Sequence, residues 1–291
     1  MTRSRLWIAV FLVPTLLLFT LIYAIPIIVM MATSFTKWDG FGSPQFNGLE
    51  NYGNLLGDRQ FLLAVRNSLL WGLIAAGIHV PFGVLVALIL NRRPVGWRFI
   101  RSVSLLPNLI PPAALAIIYV FVFNPGIGLA NELIRALGFR DFQANWFFEP
   151  GTAFFAVTVV WVFYAGVIIL ITMAELAAIP PELRESALVD GATERQVDWH
   201  IHLPLLRNVI GVGVIIAVTE VFKTFEYVFL TTGGGPAAET MSLGLLIYNL
   251  ATLRFNSGYA NAIGVVLLVM GLLAFVLLAR AFRVTESART R

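Results

Sequence analysis

The chain has no cysteine, and Asp, Glu, Lys and Arg together make up only 12% of its residues. Without thiols it has no disulfides, no Cys-ligated metal centre and no thiol redox relay. A soluble domain carries about 25% charged residues. Half that share, with 58% hydrophobic residues and a mean hydropathy of +0.84, places the chain in a bilayer. Lysine is nearly absent: Lys37 and Lys223 are the only two, and neither stands in G-x-x-x-x-G-K-[ST]. The chain therefore has no phosphate-cradling loop of its own. His79, His200 and His202 lie in no acidic or Cys cluster at metal spacing, so no metal is assigned. No Ser-His-Asp or paired-carboxylate constellation is evident, and we expect no enzyme activity in this chain. The formal charge of +4 does not imply nucleic acid, because the basic residues gather beside apolar runs rather than on one face.

The apolar runs are residues 6–31, 68–90, 105–123, 153–171, 209–230 and 261–282. Each is near the roughly 20 residues that a helix needs to cross the hydrocarbon core. An all-α membrane protein of six spans is the expectation. The first run exceeds the roughly 7–15 residues of a secretory h-region and lacks an A-x-A cleavage site, so it reads as a retained span. Orientation follows from Lys and Arg near the span ends. Arg3, Arg5, Arg92, Arg93, Arg98, Arg101, Arg184, Arg195, Arg207, Arg280, Arg283, Arg289 and Arg291 fall on one side. Lys37, Arg59, Arg66, Arg135, Arg140 and Arg254 fall on the other. Both termini and the 180–204 segment are thus expected in the cytoplasm.

The loops of the opposite side carry aromatics suited to the interface, beginning with Trp38-Asp39-Gly40, where Asp-Gly reads as a turn. A second loop, 124–151, has a helix-like middle at 129–137. A third opens with Gly233-Gly234-Gly235-Pro236, a permissive backbone before a rigid stop, read as a hinge or a close-packed loop. Pro107, Pro111 and Pro112 should bend the third span or delay its start. Gly72 with Ala76, and Gly213 with Ala217, are small-residue pairs that permit close helix approach in lipid. No internal repeat is evident.

Between Pro180 and Pro204 the apolar pattern gives way to PPELRESALVDGATERQVDWHIHLP. The two leading prolines suit a helix entry, and Glu182 and Glu185 suit the positive end of its dipole. Gly191 suits a helix stop, and Thr193 with Gln196 has the spacing of a capping box opening a second helix. The plainer reading is an amphipathic hairpin lying on lipid. Against it, 182–198 holds five acids (Glu182, Glu185, Asp190, Glu194, Asp198) and two arginines, a balance that fits a protein partner better than anionic headgroups.

The spacing Glu185-Ser186-Ala187, three residues, Gly191, nine residues, Ile201, one residue, Leu203-Pro204 resembles the EAA loop of permease subunits in binding-protein-dependent ABC importers. Trp38-Asp39-Gly40, the stretch Asn47–Tyr52, Leu90-Asn91-Arg92-Arg93 and Thr232–Pro236 resemble the carbohydrate-uptake branch with maltose-type and glycerol-phosphate-type permeases. Ser186 stands where that family more often has Ala, a small-for-small exchange. The resemblance implies a single permease domain over 1–291 with a type I ABC importer permease fold. It implies that Glu182, Glu185, Ser186, Ala187, Leu188, Asp190, Gly191 and Ala192 form a coupling helix and turn docked on a separate ATPase subunit. That partner would bind ATP and Mg, leaving no cofactor in this chain. It further implies a second, related permease, and a solute-binding protein on the outer loops, at Trp38, Asp39, Gly233, Gly234, Gly235 and Pro236.

Glu220, Lys223 and Glu226 fall in the fifth apolar run, where each charge costs roughly 2.5–3.5 kcal/mol on insertion scales. At i, i+3 and i+6 they are expected on one helix face, with Lys223 able to pair with either acid. They form either a self-neutralising ladder or a polar wall of a solute path, with Thr219, Thr224 and Tyr227 supplying hydroxyls for a sugar-like cargo. Lone His79 reads more simply as an interhelical hydrogen bond. Two other classes stay open: an ion-gradient-driven secondary transporter using the three charges as a relay, and a scaffold recruiting a cytoplasmic protein through 180–204.

Overall fold

The computed structural model describes residues 2–282. Arg283, Arg289 and Arg291, counted in the charge bias, lie outside them. In chain order the first helices are α1 (Val10–Thr33, within a helix that begins at Thr2), α2 (Glu50–Gly57), α3 (Arg59–Asn91) and α4 (Trp97–Leu109). Next come α5 (Pro112–Val122), α6 (Leu129–Ala136), α7 (Ala153–Ala178), α8 (Pro181–Val189) and α9 (Glu194–Leu205). The last are α10 (Arg207–Phe222), α11 (Glu226–Thr231), α12 (Leu243–Leu253) and α13 (Ser257–Ala281). Among the described residues the strands are β1 (Thr36–Lys37) and β2 (Gln45–Phe46), antiparallel with Thr36 opposite Phe46. Among the described residues four helices are long and apolar enough to cross a membrane, and six spans result when each bent pair, α4–α5 and α9–α10, counts as one.

Proline shapes the long helices in a repeated way. Five-residue π turns at Thr20–Ala24, Ala75–His79 and Asp198–His202 each end two residues before a proline: Pro26, Pro81 and Pro204. Proline lacks the N–H and its ring crowds the carbonyl one turn back. Widening the preceding turn relieves that clash without ending the helix. At the third apolar run the prolines are adjacent and the helix breaks. Ile110 and Pro111 take extended ψ values of 128° and 140°, as residues before proline must, and α4 meets α5 at 103°. The bend expected from Pro107, Pro111 and Pro112 is therefore present.

The chain forms two compact units, one comprising the residues up to Leu62 with Leu246–Val269, the other Leu63–Leu245 with the residues from Met270 on. In the first, Asn51 and Tyr52 of the Asn47–Tyr52 motif are internal ties. Asn51 Nδ2 donates to the carbonyls of Ser34 and Thr36 at 2.8 and 2.9 Å, and Tyr52 Oη lies 2.7 Å from Ser34 Oγ. The α13 start is fixed by Tyr259 Oη donating to Asp58 at 2.9 Å and by Asn261 Nδ2 donating to Thr33 Oγ1 at 2.7 Å.

In the second unit, close packing of α3 on α7 turns on Gly83. A Cβ there would stand 2.8 Å from the Ile168 side chain, so only glycine lets the helices meet. A Cβ on Gly213 would stand 3.3 Å from Ile168, tight but less so than at Gly83, and one on Gly72 would make ordinary contacts. Trp71 is fully buried, stacks on Phe154 at 5.0 Å, and satisfies its indole N–H on Thr158 Oγ1 at 2.9 Å. A second polar anchor is Asn67, whose amide donates to the carbonyls of Glu239 and Met241 at 2.9 and 3.0 Å.

Candidate functional site

A cavity of about 690 Å³ opens within the second unit between α3, α4, α5, α7, α10 and α11. Its apolar walls include Leu115, Trp161 and Ile168; its polar groups are His79, Asn108, Tyr164, Glu220, Lys223, Thr224, Glu226 and Tyr227. The size and the few convergent polar groups in an apolar frame suit one small solute. Tyr164 Oη donates to Tyr119 Oη at 2.6 Å, which fixes the ring that faces the cavity. His79 Nδ1 lies 2.8 Å from the Val162 carbonyl, so it is the interhelical bond expected of it and a wall residue at once.

The expected charged ladder needs correction. Helix α10 ends at Phe222, Lys223 and Phe225 leave helical geometry, and α11 starts at Glu226. Glu220, Lys223 and Glu226 therefore do not share one continuous helix face. The break has a physical reason: non-helical backbone at membrane depth is tolerated where it lines a cavity, and Lys223, Thr224 and Glu226 all line this one. Lys223 Nζ pairs with Glu220 at 3.1 Å, and both side chains are largely exposed on this chain. Thr219 is not a lining residue, since its hydroxyl donates back to Ile215 and Ile216 carbonyls at 2.8 and 2.9 Å.

The second constellation is the elbow α8–α9. Pro181 opens α8, and Gly191, at φ +87°, reverses the chain in the left-handed region where glycine alone is unstrained. The Ala192 N–H then donates to the Ala187 carbonyl at 2.9 Å, closing the helix end. Thr193 and Gln196 form the reciprocal capping box at the head of α9. Arg184 pairs with Glu194 across the turn. Asp198, nearly buried, accepts from Arg92 at the end of α3 and from His202 Nδ1 at 2.8 Å. The elbow is thus rigid and anchored, while Glu182, Glu185, Ser186 and Val189 stay exposed, Val189 at 87%. Ala187, Leu188 and Ala192 are half-buried, and Asp190 and Gly191 are exposed at the turn.

Two turns carry the remaining candidate residues. Asp39 is exposed, and its carboxylate accepts from the N–H groups of Gly42 and Phe41, which hold its pKa below the ordinary carboxylate value. Trp38 Nε1 donates to the Gly42 carbonyl at 2.7 Å. In the other unit, Gly233 and Gly234 have φ of +60° and +89°, and Thr240 Oγ1 donates to the Gly235 carbonyl at 2.8 Å before Pro236. Of the two readings for this glycine run, the close-packed loop holds: a Cβ on Gly234 would strike Met241 Cε at 2.7 Å.

Residues 79–284 match the family model described as "Binding-protein-dependent transport system inner membrane component". That range contains the elbow and every lining residue of the cavity. The chain belongs to this family. It is a membrane permease, not an enzyme, and is 33% identical over 267 residues to a probable ABC transporter permease protein, YurN, of Bacillus subtilis, covering 90% of this chain and 91% of that one. It is 31% identical over 272 residues, 92% of each chain, to the multiple sugar-binding transport system permease protein MsmF of Streptococcus mutans. In fold it matches a chain of a bacterial ABC transporter involved in the import of the acidic polysaccharide alginate, with a TM-score of 0.83 at 24% identity, covering 97% of this permease and 96% of that chain. The permease therefore has the six-span, type I importer fold.

Sequence reasoning missed Asn108, Trp161 and Tyr164 as cavity residues of the permease. Asn108 had a signal, being a lone amide among the prolines of the third run. Trp161 and Tyr164 had none, because the opening of α7 at residues 163–165 is a tertiary feature.

Proposed function

We propose that this permease forms half of the translocation path of an ATP-driven importer for a neutral sugar or related polyhydroxylated solute. The observation that carries the reading is the elbow: a braced α8–α9 unit that leaves Glu182 and Glu185 exposed while Arg92–Asp198 ties its base to α3 and the chain itself continues into α10. Both attachments lead to the cavity, α3 through His79 and α10 through Glu220. A push on Glu185 thereby reaches the solute site through α3 and α10. The α10 lever is 16 residues, about 24 Å at 1.5 Å per residue.

The motor is a separate ATPase pair, which binds ATP and Mg and receives the elbow in a cleft. The elbow and both termini lie in the cytoplasm, as the charge bias supports. A second, related permease completes the path, and a solute-binding protein delivers cargo from outside at the turns around Trp38, Asp39 and 233–236. ATP binding favours the outward-facing state and hydrolysis restores the inward-facing one, each ligand acting through its differential affinity for the two states. The cargo class follows from the wall. Two carboxylates and one ammonium give it a net charge of −1, which disfavours phosphate esters and sugar acids, while Trp161, Tyr164 and Tyr227 offer faces for sugar rings.

Reconstitution of the permease with its partners in proteoliposomes tests the reading. Uptake from a panel of neutral sugars should require ATP and the binding protein and be lost in Glu185→Arg with the complex still assembled. Uptake driven by an ion gradient without ATP would replace this account with a secondary transporter.

A further inference from the structure

A second cavity, of about 590 Å³, lies where the end of α3, the start of α4 and the end of α7 meet. Arg93, Trp97 and Arg101 line it together with Leu90, Leu170 and Met173, so guanidinium groups and apolar side chains share one cavity. No Asp or Glu occurs between Arg92 and Asn131. Among the described residues no carboxylate lies within ion-pair distance of Arg93, Arg98 or Arg101. Glu175 is on α7 but is not a lining residue. What holds Arg93 and Arg98 is the Trp97 ring, whose centroid is 5.9 and 5.6 Å from the two guanidinium carbons. On the other side of the α4 start, Phe99 is 73% exposed and Ile100 and Val103 are also exposed, which gives an amphipathic helix.

We propose that this cavity binds the headgroup and upper acyl chains of an anionic glycerophospholipid, of the phosphatidylglycerol type. A phosphodiester takes the place of the missing carboxylates beside Arg93 and Arg101, and the chains lie against Leu170 and Met173. A free inorganic anion would leave the apolar wall uncovered. A zwitterionic lipid would bring an ammonium group toward the two guanidinium groups of the lining. Tryptophan beside basic residues is the composition of the membrane interface, and basic pockets between membrane helices recognise anionic headgroups. The site adjoins Arg92, the residue that anchors the elbow through Asp198, and it does not depend on the cargo.

Native mass spectrometry of the full chain in detergent, titrated with phosphatidylglycerol or phosphatidylcholine, tests this. The parent chain should retain phosphatidylglycerol preferentially. Arg93→Gln and Arg101→Gln should each lower its retention about fivefold, the factor for one basic residue at an anionic surface. Arg93→Lys should keep most of it, and Arg135→Gln, outside the cavity, should change nothing. Equal retention of both lipids by the parent chain overturns the proposal without any variant. Equal loss in Arg135→Gln overturns it as well. Displacement of the lipid by millimolar inorganic phosphate would make this a simple anion site instead.

Discussion

Asp198 accepts from two directions, from Arg92 at the end of α3 and from His202 one turn along α9. Its side chain is 9% exposed, while that of Arg92 is 40% exposed, so water screens part of the attraction. Exchanging the carboxylate for an amide leaves one acceptor oxygen, so either the nearly buried imidazole or the arginine faces an NH2 group instead. Asp198→Asn should therefore lower stability by about 1–3 kcal/mol, read as a fall in the melting temperature of the purified chain. The same variant should hydrolyse ATP in the complex while importing less solute per ATP, because the elbow has lost its tie to α3. Tyr164 gives a second test at this scale. Tyr164→Phe keeps the ring but deletes the hydroxyl that bonds Tyr119. Solute KM should rise about threefold to tenfold, the effect of one neutral hydrogen bond, with little change in kcat. An unchanged KM would remove Tyr164 from the path.

Among elements, the helices are positioned by what proline takes away and what glycine leaves empty. Gly83→Val would drive a branched side chain into Ile168 and pry α3 from α7 at a cost of about 1–3 kcal/mol; thermal unfolding in detergent reads the loss. Thr193→Ala removes the reciprocal cap of α9 and should cost about 1 kcal/mol. Coupling should weaken in that variant without loss of assembly. These local devices were legible in the sequence: Pro180-Pro181, Gly191 and Thr193-x-x-Gln196 each act within a few residues of themselves. The continuous fifth helix was misread for the converse reason. Apolar periodicity continues across 223–225, and only the cavity behind the break explains why the backbone opens there.

At the scale of the whole permease, the two constellations are joined by features that no local pattern shows. Arg92 and Asp198 are 106 positions apart, and the cavity gathers residues from six helices. Glu220, Lys223 and Glu226 were legible because charge is conspicuous in an apolar run, whereas Trp161 and Tyr164 look like any other membrane aromatics. Under the proposed function, force applied to the elbow opens the cavity to the outside. The chain has no cysteine, so a single one at Thr224 reports on that opening alone. The decisive measurement is labelling of Thr224→Cys by a membrane-impermeant maleimide, applied from outside to the reconstituted complex. We predict that labelling rises when ATP is bound and hydrolysis is blocked, and that adding Glu185→Arg abolishes the rise. Labelling that ignores ATP, or that rises undiminished with Glu185→Arg present, would contradict the claim.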